Sequence, residues 1–358
     1  MVAVVGAILI LLILWDAFET IVLPRRVARR LRIAGIYFSL LGEIWWAIAE
    51  RMRNARRREA YLSLFGPLSL ILLLATWAAG LVLSFALIHW EAGARAAPAE
   101  VTANFWTALY FSGSTFFTLG LGDVAPRTGV GRAVSVIEAG MGFVLLALVV
   151  GYLPVLYQAF SRREVKISTL DEWAGSPPSA GELLRRLGTW DDLAGLNEFF
   201  GRWEEWAADL LESHISYPIL AAFRSQHGNQ SWLAGLTTIL DACALVLSSI
   251  ESMPQRAAYL AFAMARHVAV DLCQVLNSPP EAPAQDRLPR EDLVRLRAAL
   301  REANVPMRDD EAAAAGLVDL RAMYEPYVNS LADFLSLPLP QWLPAPRARD
   351  NWQKSKWE

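Results

Sequence analysis

The chain has 358 residues, of which 54% are hydrophobic and 19% are charged, and its formal net charge is −3. These averages combine two unlike parts: up to Lys166 there are 16 Lys/Arg and 10 Asp/Glu, and after it 17 and 26. The first part is typical of a membrane protein with basic loops, and the second of an acidic, water-soluble domain. Neither part is basic enough to bind nucleic acid.

Residues 2–23 are apolar and long enough to cross a bilayer. They lack a basic start and a cleavage site, which predicts a retained helix, residues 1–24, rather than a signal peptide. Asp16 and Glu19 lie near its end on one helix face. We expect them at the membrane interface, paired with an arginine of the next loop, or alternatively lining an ion path or docking site. The candidate arginines are Arg25, Arg26 and Arg29.

Two arginine-rich loops, residues 25–32 and 51–58, are expected on the cytoplasmic side. Residues 33–49 between them are short for a span and include Trp45 and Trp46. Residues 25–59 are therefore predicted to hold an amphipathic helix on the inner membrane surface, which places the N-terminus outside the cytoplasm. A short additional span is the alternative.

Three further apolar runs follow. Residues 61–90 predict a span, and residues 104–117 are too short to cross, which predicts a re-entrant helix. Residues 132–160 predict the last span, after which Arg162 and Arg163 return the chain to the cytoplasm.

The short helix is followed by Thr118-Leu119-Gly120-Leu121-Gly122-Asp123. Glycine takes backbone angles that other residues avoid, so alternating glycines let consecutive carbonyl groups point the same way. Several such strands around an axis form rings of carbonyl oxygen that replace the water shell of an ion. The chain has no visible internal repeat, so one strand per chain requires several chains.

Between two spans, this run resembles the selectivity filter of the tetrameric potassium channel pore-domain family. It is similar to the Gly-Leu-Gly pore loops of two-pore-domain potassium channels. The resemblance covers residues 60–162 and implies an outer helix, a re-entrant pore helix, a filter and an inner helix. It implies a prokaryotic homotetramer that conducts K⁺ passively across the inner membrane, with no enzymatic activity and no cofactor. The implied K⁺ ligands are Thr118, Leu119, Gly120 and Leu121, with Gly122 also lining the path and Asp123 at the outer mouth.

Residues on both sides of the filter take further roles from the resemblance. Gly131-Arg132 matches the start of the family's inner helix, which places Gly142 at its gating hinge. Gly151 and Pro154 also weaken that helix and add to the predicted hinge. For Glu138 we expect a hydrogen bond behind the filter to Ser112 or Ser114, the alternative being a pore-facing or proton-sensing role. The implied filter-support residues are Tyr110, Phe111, Ser114 and Glu138.

The filter departs from the family pattern at three positions. Leu121 replaces a tyrosine whose phenol braces the strand, Phe117 replaces a threonine, and Ser114 replaces a glutamate found in some bacterial members. A non-selective cation channel is therefore one alternative, and a non-conducting membrane sensor or scaffold with a degenerate pore is another. An active transporter is disfavoured because neither a nucleotide site nor an inverted repeat is visible.

Residues 163–358 are predicted to form an all-α cytoplasmic domain that gates or assembles the pore and has an unknown ligand or regulator. Helical spacing marks residues 190–212, 232–252, 255–275 and 310–335, the last kinked or divided at Pro326. No strand followed by Gly-x-Gly-x-x-Gly is present, so a nucleotide-binding regulator is not expected.

The same domain contains polar residues that suggest a metal or ligand site, or alternatively only capping and packing contacts. Residues 336–346 are rich in proline and predict an extended strap, and the tail after Arg347 is predicted to be mobile. Cys243 and Cys273 are both in this part, and free thiols suit a reducing cytoplasm. The polar candidates are Asp209, Glu212, His214, His227, His267 and Asp271.

Overall fold

The computed structural model describes residues 1–23, 33–92, 95–96, 104–190, 193–250, 255–343 and 349–353. The chain forms two compact units, Met1–Tyr157 and Gln158–Glu358. Across the described residues both units are built from helices, and the one sheet there has two strands of two residues each. The predicted all-α fold with extra N-terminal helices is confirmed.

Among its described residues, the first unit contains five α-helices and the beginning of a sixth. A strand pair joins the loop after α4 to the segment after α5, with Ala96 opposite Val124. The elements are α1 (Val2–Ala17), α2 (Ile33–Glu50), α3 (Ala55–Ser63), α4 (Phe65–Ala92), β1 (Arg95–Ala96), α5 (Phe105–Phe116), β2 (Val124–Ala125) and α6 (Gly129–Ala174).

Five stretches of helix in the described chain are long and apolar enough to cross a membrane. Four belong to the predicted membrane part, and α2 is among them. The fifth, Trp232–Ser249, is 89% buried inside the protein, so we treat it as a core helix of the second unit. The five are Val2–Ile21, Ile33–Glu50, Ala55–Glu91, Gly129–Ala174 and Trp232–Ser249.

Helix α1 packs antiparallel to α4. Ala3 N–H donates to Glu91 over 2.6 Å, and near the other end of α1 the Trp77 indole donates to Asp16 over 3.0 Å. A Cβ on Gly6 would lie 2.5 Å from the Ser84 carbonyl oxygen, so only glycine allows this approach. The two helices therefore run in opposite directions.

Asp16 is buried rather than solvent-facing. Besides Trp77, it accepts the Ala34 N–H at the beginning of α2 over 3.1 Å, while Glu19 accepts the Trp15 indole N–H over 2.7 Å. Asp16 thus joins α1, α2 and α4. The arginines with which it was expected to pair lie outside the described residues.

Helix α2 lies beside α3 and the first turns of α4. The Tyr37 hydroxyl donates to the Ser69 carbonyl over 3.1 Å, and the Trp45 ring stacks on Tyr61 at 4.4 Å. These contacts place α2 next to α3 and the beginning of α4, which follow the second arginine-rich loop. Whether α2 lies on the membrane surface or spans it remains a prediction.

Helix α6 is continuous for 46 residues, about 69 Å. The span predicted for residues 132–160 lies inside this helix, which runs on to Ala174 and includes Pro154. Residues beyond the arginines keep helical apolar spacing, and Ile167, Leu170 and Ala174 belong to the core of the second unit. The division between the units falls inside this helix.

In the part of the second unit that the structure describes there are seven further α-helices. The predicted helix at 255–275 has those bounds, and 310–335 divides into two helices, with Pro326 in the first turn of the second. Helices α7 and α11 were not predicted. The elements are α7 (Ala180–Thr189), α8 (Leu196–Ser216), α9 (Trp232–Ser249), α10 (Gln255–Val275), α11 (Arg290–Glu302), α12 (Glu311–Ala322) and α13 (Glu325–Leu335).

The segment after α13 is non-helical through residue 343, as predicted for a strap, and buries Trp342, whose carbonyl accepts the Gly181 N–H over 3.0 Å. Residues 344–348 and 354–358 lie outside the described chain. The predicted mobility is wrong for residues 349–353, because Asp350 is buried. Its carboxylate accepts the Ser176 N–H over 3.2 Å and pairs with Arg186 over 2.8 Å.

Candidate functional site

The predicted pore helix is α5, which has 12 residues and is about 18 Å long. This is too short for a hydrocarbon core of about 30 Å. Asn104 caps it by accepting the Thr107 N–H over 2.9 Å. The buried residues follow helical spacing along one face and are Ala108, Phe111, Ser112, Ser114 and Phe116.

The segment after α5 has an alternating backbone. Thr118, Gly120 and Gly122 have positive φ values of 58°, 58° and 80°, whereas Leu119 and Leu121 do not. Such alternation turns successive carbonyl groups to the same side, which an ordinary strand does not do. The left-handed conformation costs a threonine about 1–2 kcal/mol, so Thr118 stores strain at the beginning of the segment.

The start of this segment is fixed by the pore helix, and its side chains are uncovered. The Ser114 carbonyl accepts the Leu119 N–H over 2.8 Å. Leu119 and Leu121 are 64% and 66% exposed, and Phe117 is 62% exposed. The described part of this chain therefore leaves three large apolar side chains open around the predicted filter.

Asp123 follows the alternating segment. Its carboxylate accepts the Val124 N–H over 3.1 Å. Tyr110, one of the predicted filter-support residues, is influenced electrostatically by this carboxylate. The sequence gives no signal for this proximity, because the two residues lie on different elements without a shared period.

Phe111 and Ser114 act in different ways. The Phe111 ring is 4.8 Å from the His89 ring, edge to face, and packs with Val124. The Ser114 backbone carbonyl accepts an N–H of the filter segment. Of the two hydroxyl groups expected as partners of Glu138, that of Ser112 makes the contact.

Glu138 is 0% exposed and lies behind the pore helix. One carboxyl oxygen bonds to the Ser112 hydroxyl, and the other is 2.8 Å from His89 Nε2. The sequence did not indicate His89 as a partner of Glu138. An ionisable residue near the end of the outer helix was the only signal that could have indicated it.

Gly142 allows α6 to approach the end of the pore helix. A Cβ at this position would collide with the Phe116 carbonyl oxygen, whereas one at Gly151 would meet no heavy atom within 4 Å. The helix is continuous through Gly142, Gly151 and Pro154. Close packing thus explains why glycine is required at position 142, without any bending of the helix.

We expect Gly142→Ala to reduce ion flux at least about tenfold, because the added methyl group displaces α6 from Phe116 and overpacking of this kind costs about 1–3 kcal/mol. Gly151→Ala is the matched variant and should change flux little, since its site is open. Flux into liposomes measures both. Equal effects of the two substitutions would favour the predicted hinge, because alanine stiffens the helix at either position.

Comparison with known proteins bears on the same segment. A model of the family described as "Ion channel" matches residues 71–158. This segment is similar to ion channels. The ion-channel segment includes most of α4, all of α5, the alternating backbone and the first part of α6. Gly142 and the Glu138 contacts lie inside it, and residues 1–70 and 159–358 lie outside the match.

A curated relative is also a membrane protein. The chain is 24% identical over 200 residues to a protein named "Uncharacterized membrane protein YdjJ" from Bacillus subtilis (strain 168). The similar region covers 54% of this chain and 57% of the relative's length. No solved structure matches the chain significantly.

The structure does not assemble the polar candidates of the second unit into a metal site. Among the residues it describes, no group of three or more His, Cys, Asp or Glu side chains is placed to hold a metal ion. His267 pairs with Asp271 over 3.3 Å, and Glu212 accepts the Ser216 hydroxyl over 3.0 Å. The proposed ligands are thus engaged locally.

His214 is buried and serves as a structural acceptor. Its Nδ1 is 2.9 Å from the Leu210 carbonyl, and its Nε2 is 3.3 Å from the Arg163 guanidinium. The carbonyl can only accept a hydrogen bond and the guanidinium can only donate one. Nδ1 therefore carries the proton and Nε2 accepts. Burial, and then the charge of Arg163, hold the pKa of His214 well below its usual value, so the ring is neutral at pH 7.

Proposed function

We propose that the chain is the subunit of a homotetrameric, potassium-selective channel of the inner membrane. The observation that carries the proposal is the alternating backbone of residues 118–122 at the end of a helix too short to span. One-sided carbonyl groups are the chemistry that replaces the water shell of K⁺. The proposed ligands are Thr118, Leu119, Gly120, Leu121 and Gly122.

Assembly from several copies is supported by the apolar side chains that a single copy leaves exposed. Leu119, Leu121 and Phe117 are exposed next to the proposed filter, and exposed apolar clusters mark interaction surfaces. A single strand supplies carbonyl groups on one side of an ion, so a complete ring needs further copies. Asp123 would then appear once per copy at the outer mouth and raise the local cation concentration.

The second unit is proposed to lie in the cytoplasm and to regulate the pore. The proposal rests on the arginine-rich loops of the membrane part and on α6, which continues from the ion-channel segment into the core of the second unit. The regulating ligand or partner is not assigned.

A non-selective cation channel is the second candidate. Leu121 has no hydroxyl to brace the filter strand. A filter with fewer side-chain braces holds its carbonyl ring less rigidly, which weakens discrimination by cavity size.

Purified full-length protein in liposomes tests the proposal. We expect flux of K⁺ but not Na⁺ under matched gradients, together with a tetrameric mass in detergent. Equal flux of the two ions would establish the non-selective alternative. An intact tetramer without any ion flux would instead support the sensor or scaffold.

A further inference from the structure

Three buried polar side chains meet behind the pore helix, one from each helix of the ion-channel segment. His89 is on α4, Ser112 on α5 and Glu138 on α6, and all three are fully buried. The Ser112 hydroxyl oxygen is also 2.7 Å from the Val82 carbonyl oxygen of α4. An ionisable group at this depth is costly unless its partners satisfy it, so the arrangement of hydrogens among these atoms matters.

The Ser112 hydroxyl has one hydrogen and two oxygen neighbours. The Val82 carbonyl can only accept. If Glu138 were a carboxylate it could also only accept, and one of the two close oxygen contacts would have no hydrogen. If Glu138 is protonated, it donates to Ser112 and Ser112 donates to Val82, so each contact contains one hydrogen.

His89 leads to the same arrangement from the other side. Its Nε2 is 2.8 Å from Glu138, whereas its Nδ1 is buried without a hydrogen-bond partner. An imidazolium ion has an N–H on both nitrogens and would leave one donor buried and unsatisfied. The neutral ring with its hydrogen on Nε2 donates to Glu138 and leaves Nδ1 without a hydrogen.

We infer that Glu138 is a neutral carboxylic acid that donates to Ser112, so that a directional chain runs from His89 through Glu138 and Ser112 to the Val82 carbonyl. We name these four residues the clamp. It fixes the pore helix between the outer and inner helices. The inference rests on the proposed function, because the same pore helix holds the first residues of the filter through the Ser114 carbonyl. His89, Ser112 and Glu138 are positioning residues and do not contact the ion.

The clamp exists in one protonation state. At high pH, Glu138 loses its proton and becomes a carboxylate. The Ser112 hydroxyl then donates to this carboxylate, and its hydrogen bond to the Val82 carbonyl is lost. Flux should therefore fall at high pH. The other ionisable groups on the described helices around the clamp do not take part in it. Asp16 accepts from Trp77, Glu91 accepts from Ala3, Tyr110 is influenced by Asp123, and Arg132 is exposed.

Glu138→Gln tests the direction of the chain. The glutamine amide donates N–H to Ser112 and its carbonyl accepts from His89, as the carboxylic acid does. We expect its flux to stay within about twofold of the parent, with the fall at high pH removed. Glu138→Leu, of similar size, should lose at least about tenfold, because Ser112 and His89 lose their shared partner.

A second measurement does not depend on flux. The infrared difference spectrum between parent and Glu138→Gln should contain the carbonyl stretch of a protonated carboxyl group. Ser135→Ala is the matched control on α6, since that hydroxyl bonds to the Gly131 carbonyl of its own helix over 2.9 Å.

The outcomes separate the two proposals. A parent protein without flux would defeat the proposed function, while the infrared band would still decide the protonation of Glu138. A parent with normal flux, an inactive Glu138→Gln variant and no carboxylic acid band would overturn the inference.

Discussion

Replacing Gly120 with alanine is expected to reduce ion flux by at least about a hundredfold. Gly120 has a φ of 58°, and a Cβ there would meet no heavy atom within 4 Å, so the cost is conformational rather than steric. A left-handed residue other than glycine costs about 1–2 kcal/mol, and four proposed copies multiply this cost. The filter would relax to an ordinary strand and turn half of its carbonyl groups away from the ion path.

Liposome flux of the full-length variant measures the effect, and its mass in detergent shows whether the assembly survives. Gly201→Ala is the matched control, because Gly201 lies within α8 with open space around it and no positive φ. It should leave flux unchanged and stabilise α8 by up to about 1 kcal/mol. If the Gly120→Ala assembly conducts like the parent, the alternating backbone does not line the ion path.

The second large effect is expected in the second unit, where Arg287→Leu should lower the free energy of unfolding by about 3–5 kcal/mol. Arg287 pairs with fully buried Asp241 over 2.6 Å, with Glu325 over 3.3 Å and with the Pro340 carbonyl over 3.0 Å. Burial opposes its charge, but the neighbouring Asp241 and Glu325 raise the pKa of the guanidinium above its usual value. Without Arg287, the Asp241 carboxylate keeps the Tyr324 hydroxyl but loses its countercharge.

Urea unfolding of the full chain in detergent, followed by circular dichroism, measures this loss. Arg295→Leu is the control, since that arginine is 69% exposed and its ion pair among the described residues is with Asp292 on its own helix. Its substitution should change stability by less than about 1 kcal/mol. The double variant Asp241→Leu with Arg287→Leu should recover part of the loss, because it removes both buried charges. An Arg287→Leu cost no larger than that of Arg295→Leu would show that the pair contributes little.

The sequence predicted those parts of the fold that depend on local periodicity. Helix α10 has its predicted bounds because apolar residues recur along one face over six turns. Helices α7 and α11 were not predicted, because they are short and rich in arginine. The predicted span stopped at Phe160, before two arginines, and the sequence did not indicate that the helix continues to Ala174. In α6 the tertiary core, not the charge pattern, decides where the helix ends.

The candidate site divides in the same way. Alternating glycines made the backbone of Gly120 and Gly122 predictable, whereas the left-handed Thr118 was not, because threonine usually avoids that conformation. His89 and Glu138 are 49 positions apart on different helices. A contact at that separation depends on how the helices pack, and a single sequence has no period that encodes it.

The bond between Ser176 and Asp350 also affects how the protein is made. It joins residues 174 positions apart, so it cannot form until residue 350 has left the ribosome. Domains fold as units during synthesis, and long-range contacts are the slow ones. The ion-channel segment is therefore translated and available to the membrane well before the second unit can close. This order gives each chain an interval in which the proposed regulatory domain cannot yet act on the proposed pore.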